Sequence, residues 1–434
     1  MLSWDKTPAL APMRCCRAWV EINLSALAHN VRTLKALLPA HADLMSVVKA
    51  DAYGHGAVTV SRVALNSGAT WLGVATVPEG IELRQAGITA PILVMGAVNA
   101  PEEVCAIARW QLQPTIVNPK QALIFSETLA QYRPEIETVC SNSGGKRGAD
   151  NSSRELQAFP RGDWTLPVHL KLDTGMSRLG FRWQQAVELA RFVKQLAHLE
   201  ITSVYSHLAT ADSPDPSVML LQHERFERAI ADLKQAGLCP PRLHLANSAA
   251  TLVSTPALPL HYDMVRAGLA TYGLYPAPHL QGTVTLNPVL EVKARITHLK
   301  TIEPGSGVSY NHKFVAKQSM KIAIVGIGYA DGVPRKLSNQ LEVVVNGQLV
   351  RQIGAITMDQ LMLDVSDLDT VQEGDIVTLL GEAGGHRLSA EHWAELTETI
   401  SWEILCGFKH RMPRIEVSNS IDCSPQAVEK PAKA

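Results

Sequence analysis

The feature that most constrains this chain is an alternation. Between about residues 22 and 270, short β-rich apolar runs take turns with amphipathic helical runs. The strand-like runs are "LMSVVKA", "WLGVATV", "PILVMGA", "QPTIVN", "PVHLKLD", "TSVYSHL", "RLHLAN" and "YDMVRAG". Helical spacing marks "LSALAHNVRTLKALL", which begins after a good capping residue, Asn23, and also "QQAVELARFVKQL" and "MLLQHERFERAIADLKQAG". Near-continuous apolar strands suit a parallel sheet covered on both faces. Eight βα units in about 250 residues point to a (β/α)8 TIM-type barrel, with a doubly wound open sheet as the alternative.

After about residue 284 the texture changes. "VLEVKARITHLKTI", "MKIAIVGIGYADG" and "LEVVVNGQLVRQIGAITMDQLMLDV" are β-rich, and Asn346-Gly347 is a hairpin signal. One late helix, "SAEHWAELTETI", follows. The expected division is a disordered N-terminus (1–16), a barrel (17–284), a C-terminal mainly β domain (285–416) and a disordered tail (417–434). A Ser-, Gly- and Asn-rich stretch at about 140–163 lacks periodicity and reads as a disordered insertion in the barrel.

Composition excludes several classes. Hydrophobic residues make up 46% and charged residues 19%, as in globular proteins. The net charge of −1 gives no basic footprint for nucleic acid. Seven scattered cysteines include no CxxC pair, so no metal site is expected, and reduced thiols point to the cytoplasm. No signal peptide and no run long enough to span a membrane are read.

In a barrel of this kind the chemistry sits at the C-terminal ends of the strands. Those ends carry Lys49, Lys171 with Asp173, His207, Asn247 with Ser248, and Arg266 followed by Gly268. Taken singly, each has an ordinary structural reading; together they ring one mouth. The loops "ANSAATL" and "RAGLATYG" stand at the usual phosphate seat of such barrels. Ser248 can donate there, and the amides around Gly268 and Leu269 can point at an anion. No GxxxxGK[ST] is present, which argues against nucleotide phosphates. A single phosphate opposite a strand-end lysine suggests pyridoxal 5'-phosphate.

The stretches "VVKADAYGHG", "LKLDTGMSRLG", "HLANSAA", "MVRAGLATYGLYP", "GSGVSY", "GYADG", "ITMDQ" and "HRMPR" resemble, in order and spacing, those of the alanine racemases over about residues 17–415. The resemblance implies a pyridoxal phosphate barrel with a C-terminal β domain, working as a homodimer with composite sites on alanine. By that resemblance Lys49 would hold the cofactor and act as one base. Tyr310 would be the second base, reaching the site from the partner subunit. Tyr53, Ser248, Gly268 and Leu269 would bind the phosphate, with Asn247 beside them. His207 would pack on the pyridine ring and Arg266 would face its nitrogen. Arg178 and the Met358 amide would meet the substrate carboxylate, and Tyr329 would help limit side-chain size. Lys171 matches a position that is often N-carboxylated. The implied role is D-alanine supply for peptidoglycan.

Four departures stand out. Asp51, Ser177 and Asn311 replace the family's usual asparagine, glycine and glycine, and His410 stands where a phosphate-contacting tyrosine is usual. A histidine there would make cofactor affinity depend on pH. Related activities on the same fold remain open at this level: an amino-acid decarboxylase, a serine or lysine racemase, or a cofactor carrier.

Overall fold

The computed structural model describes residues 16–142, 164–409 and 411–418, without the side chains of 133–142. The expected disordered ends, all but the margins of the 140–163 insertion, and His410 lie outside the described residues.

The chain starts with β1 (Ala18–Asn23), and Asn23 caps helix α1 (Leu24–Ala36) by accepting from Ala26 N at 3.0 Å. Then come β2 (Asp43–Val47), β3 (Trp71–Val74), β4 (Ile92–Ala97), β5 (Gln113–Ile116) and β6 (Leu166–Asp173). A two-residue strand, β7 (Phe181–Arg182), pairs onto β6. The set ends with β8 (Leu199–Tyr205), β9 (Arg242–His244) and β10 (Met264–Ala267). Eight of these form one parallel sheet in the order β10-β2-β3-β4-β5-β6-β8-β9. Its two ends meet where Asp263 and Arg266 donate to Leu243 O and Ala246 O, each at 3.0 Å, so the barrel is nearly closed. The eight expected strand runs are the eight barrel strands. Between β5 and β6 runs a helix, Pro119–Asn142, which the sequence reading did not name.

The barrel interior is divided in character. Met45, Trp71, Leu93 and Met264 pack one side with Tyr205. The other side carries Thr115, His169, Lys171, Ser203, Tyr205, His244 and Arg266, all buried and all of one parity on their strands. The register sets Thr115 beside His169, His169 beside Ser203, Lys171 beside Tyr205, and Tyr205 beside His244.

The second layer is a nine-stranded sheet built on β11 (Leu290–Ile302). The residue pair Asn346-Gly347 turns its hairpin with φ of 48° and 80°, as the sequence signal requires. The late helix spans Ala390–Thr397, and a further helix, Ser401–Gly407, follows it. One placement departs from the sequence reading. β1 belongs to this sheet and not to the barrel: it lies antiparallel to β11 and parallel to the last strand, Arg414–Val417.

Candidate active site

Lys49 follows Val48, whose N–H donates to Gly73 O at 2.8 Å. From Ala50 to Tyr53 the backbone makes one turn of left-handed helix, with φ between 52° and 54° at four residues that are not glycine. Each such residue costs about 1–2 kcal/mol, so the turn must be held from outside. Glu79 Oε1 accepts from Ala50 N at 2.7 Å, while Oε2 accepts from Ala75 N and Thr76 N at 2.7 and 3.0 Å. His55 donates from Nδ1 to the carbonyls of Ala52 and Tyr53 at 2.9 and 3.1 Å. Arg414 donates twice to Gly54 O, at 3.1 and 3.0 Å. A Cβ on Gly54 would fall 2.5 Å from Leu405 O, so only glycine permits this approach. Asp51 accepts from Ala57 N at 2.8 Å and faces Arg414 at 3.6 Å.

This turn sets both Lys49 and Tyr53. The Tyr53 ring packs on Tyr272 at 4.9 Å, and Tyr272 is itself pinned by donating to Val47 O at 2.8 Å. A Cβ on Gly268 would lie 2.6 Å from the Tyr53 hydroxyl, so that hydroxyl sits directly against the glycine backbone. Ser248 Oγ accepts there from Gly268 N at 2.9 Å and Ala270 N at 3.3 Å. Asn247 caps the helix Ser248–Val253 by accepting from Ala250 N at 3.0 Å. Leu269 opens the short helical turn Leu269–Tyr272, so its N–H has no partner within it. The hydroxyls of Tyr53 and Ser248 and this group of amides converge on one spot, which is the expected phosphate seat.

Arg266 is only 3% exposed and is ringed by acceptors. Its Nη1 donates to His244 Nδ1 at 2.9 Å, and Nη2 to Ser206 O at 2.7 Å, Leu245 O at 3.0 Å and His207 Nδ1 at 3.3 Å. Its guanidinium lies over the Tyr205 ring at 5.2 Å, and that ring stacks on His244 at 4.5 Å. Among the described residues its Nε–H has no hydrogen-bond partner. A pyridine nitrogen would supply that acceptor, and a phosphorylated aldehyde would fill the amide seat beside Lys49. The donor set therefore fits pyridoxal phosphate.

The mouth is strongly cationic. Burial first, and Arg178 second, pull the Lys49 ammonium below its usual range. Lys171, 6% exposed, is pushed down to about 8 by burial and by the nearby charges of Arg266, Arg178 and Lys49. Its Nζ lies over Tyr205 at 5.4 Å and forms no ion pair among the described residues. His207 is held well below its usual range by burial and the same cations, so it stays neutral. A site lined this way attracts anions and shifts its amines toward the neutral form.

Tyr310, Tyr329 and Met358 stand apart from this set. All three are exposed, Tyr310 at 68%. The segment 354–358 carries them together: Ser309 Oγ donates to Ala355 O at 2.8 Å, and Tyr329 N to Thr357 O at 3.0 Å. No hydrogen bond, ion pair or ring contact among the described residues joins them to the barrel mouth of the same chain. Arg178 is exposed beside a cleft of about 530 Å³ that it lines with Asp173, Ser177 and Arg182. Sequence reading missed Glu79, Tyr205, His244 and Tyr272. The T-x-x-E capping box at Thr76 and Glu79 was readable; Tyr205 and His244 are inward barrel residues, and Tyr272 lies in the short turn after β10, none with a local signal.

Comparisons with known proteins agree on one family. The model for the alanine racemase N-terminal domain matches residues 22–276, and that for the C-terminal domain matches 289–416. An alanine racemase of Nostoc sp. is 60% identical over 92% of this chain and 96% of its own length. One from Synechocystis sp. is 56% identical over 92% of this chain and 98% of its own. Among solved structures, an alanine racemase of Clostridium difficile aligns with a TM-score of 0.82 and 31% identity over 93% of this chain and 97% of that one. Another, from Bacillus anthracis with bound L-Ala-P, gives 0.80 and 34% over 93% and 95%. With the same barrel, the same β domain and matches across both, this chain belongs to the alanine racemase family.

Proposed function

We propose that the protein interconverts L- and D-alanine with pyridoxal phosphate, using two bases on opposite faces of the substrate. The observation that carries this is the convergence at one barrel mouth of a pKa-lowered Lys49, an amide-and-hydroxyl phosphate seat, and an Arg266 with a spare Nε–H. When bound, the cofactor supplies an electron sink for charge at the α-carbon. Lys49 holds it and exchanges a proton on one face. The second base is the partner subunit's Tyr310, in a homodimer whose sites are composite. The exposure of Tyr310 supports this, because a working base needs the shelter of a covering surface. Arg178 and the Met358 amide orient the substrate carboxylate, and Tyr329 narrows the entrance.

Carboxylated Lys171 is part of this reading. A buried lysine pushed down to about 8 offers a neutral amine to carbon dioxide, and the product anion would answer the cations around it. Bicarbonate enriched in 13C should give a carbamate resonance that Lys171→Arg removes; a wild-type spectrum without it would rule the modification out. D-alanine supply for peptidoglycan, in the cytoplasm, follows as the role. No helix among the described residues is long and apolar enough to cross a membrane.

The direct experiment is incubation of L-alanine with protein and pyridoxal phosphate in D2O. Racemisation with α-deuteration is expected, and much slower turnover of L-serine. Cofactor binding without α-exchange would favour a carrier and overturn the proposal. For the dimer, inactive Lys49→Ala mixed with inactive Tyr310→Phe should recover up to about a quarter of wild-type activity, as random subunit exchange yields one intact site in half the dimers. No recovery after verified exchange would exclude a shared site.

A further inference from the structure

The polar half of the barrel interior contains a line of hydrogen bonds that reaches beyond the mouth. It starts at Arg266 Nη1, which meets His244 Nδ1 at 2.9 Å. His244 Nε2 meets Ser203 Oγ at 3.0 Å, and that oxygen meets His169 Nδ1 at 2.6 Å. His169 Nε2 meets Gln113 Oε1 at 2.8 Å. Ser203, His169 and His244 are fully buried. Gln113 lines a cleft of about 330 Å³ at the opposite, N-terminal end of the barrel.

The chemistry of the groups fixes the direction of every bond. A guanidinium can only donate, so His244 Nδ1 accepts and His244 carries its proton on Nε2. That N–H must donate to Ser203 Oγ. The serine hydroxyl then has its own proton left for His169 Nδ1. His169 in turn carries its proton on Nε2 and donates to the Gln113 carbonyl oxygen. Reversing one bond would set two donors, or two bare acceptors, face to face in a dry interior. Burial supports neutral rings: it pulls His169 down to about 3, helped by Arg242, and His244 well below its usual range, helped by Arg266. A second contact fixes the His244 ring plane. Tyr205 stacks on it within 7° of parallel and is tied by its hydroxyl to Thr115 at 2.7 Å.

We propose that Ser203 and His169 are positioning residues for the reaction, forming with Gln113 a one-way hydrogen-bond chain that anchors the His244 ring and so holds Arg266 as a fixed donor to the cofactor ring. Apolar side chains of similar volume would fill this space without the risk of unpaired buried groups. A polar chain here instead dictates which nitrogen of His244 Arg266 meets. Without Ser203 Oγ, the proton stays on His244 Nε2, because Arg266 still requires Nδ1 as its acceptor, but that N–H is left without a partner in a dry interior and the ring is drawn out of place. Arg266 would then lose one anchor and shift its Nε–H.

What Arg266 faces rests on the pyridoxal phosphate reading; the chain itself does not. The first measurement therefore addresses the chain alone. In the 15N-histidine-labelled full-length protein, both His169 and His244 should be neutral with the proton on Nε2 from pH 6 to 9. A proton on Nδ1 of either ring, or titration in that range, would overturn the proposal. The second uses Ser203→Ala and Ser203→Thr in the cofactor-loaded protein. In Ser203→Ala the His244 proton should stay on Nε2 but its 15N resonance should report the lost hydrogen bond, and the absorption band of the bound cofactor should shift. The turnover number should fall about 10- to 100-fold, the range of one charge-assisted hydrogen bond, with KM for alanine within about twofold. Ser203→Thr, which keeps the hydroxyl, should restore all three. A Ser203→Ala protein that loses thermal stability but keeps its band and turnover would show that the chain only supports the fold. Failure of the cofactor reading would look different: no band in the wild type, with the tautomers unchanged.

Discussion

Asp51, Ser177 and Asn311 share a property visible only in the backbone. Their φ values are 52°, 55° and 59°. The resemblance read in the sequence implies glycine at two of these positions and asparagine at the third. The left-handed region explains those preferences, and asparagine and aspartate tolerate it best among residues with a Cβ. Asp51 has a further task, because its carboxylate caps the helix Ala57–Asn66 at Ala57 N and faces Arg414. Asp51→Asn keeps the cap and removes only a half-exposed ion pair, so stability should change by less than about 1 kcal/mol in urea unfolding. Asp51→Ala loses the cap as well and should cost about 1–2 kcal/mol. Equal effects of the two would show that the cap contributes nothing. Gly268→Ala should drive a methyl into the Tyr53 hydroxyl and weaken cofactor binding at least about tenfold in a titration, with the fold kept. At this scale the sequence was legible wherever a residue type has one favoured use. Lys49, Ser248 and Arg266 stand at strand ends and were found there. Apart from Glu79, whose capping box was readable, the helper residues act through contacts made far along the chain, and no local spacing announces them.

The left-handed turn after Lys49 is the element on which the site depends. Its four residues gain nothing from intrinsic preference, so Glu79, His55 and Arg414 must hold it. Glu79→Ala removes acceptors from three backbone N–H groups at once and should cost about 2–4 kcal/mol. It should also lower racemisation further than the change in stability explains, since Lys49 is next to the released Ala50 N–H. Turnover in Glu79→Ala equal to wild type at a temperature where both are folded would remove this role. The turn was not foreseen because "ADAY" carries no glycine and reads as ordinary helix or strand. The barrel strands were foreseen because apolar runs bounded by glycine and charge have few other uses. β1 was missed because its six residues, AWVEIN, stand alone before a helix and show their partner only when β11 lies beside them.

Across the whole molecule, buried histidines make stability depend on pH. His55 and His169 have folded-state values of about 4 and about 3, below the usual 6.5 of an imidazole. As pH falls below 6.5, the unfolded chain takes up protons that the folded chain refuses, so stability is lost. His55's share, about 3 kcal/mol, is exhausted near pH 4, and His169's, about 5 kcal/mol, near pH 3. Urea midpoints should therefore decline steadily from pH 7 to pH 5. A flat profile there would mean that these rings open to solvent before they titrate.

The position of β1 bears on how the molecule is made. Its two neighbours are residues 290–294 and 414–417. β1 must therefore wait until residues 414–417 have been made before both its edges are covered. A chain stopped early leaves that edge bare, next to a barrel that is otherwise complete, and bare edges recruit other chains. Biosynthesis of this fold is thus exposed to aggregation until residues 414–417 emerge and cover the second edge of β1.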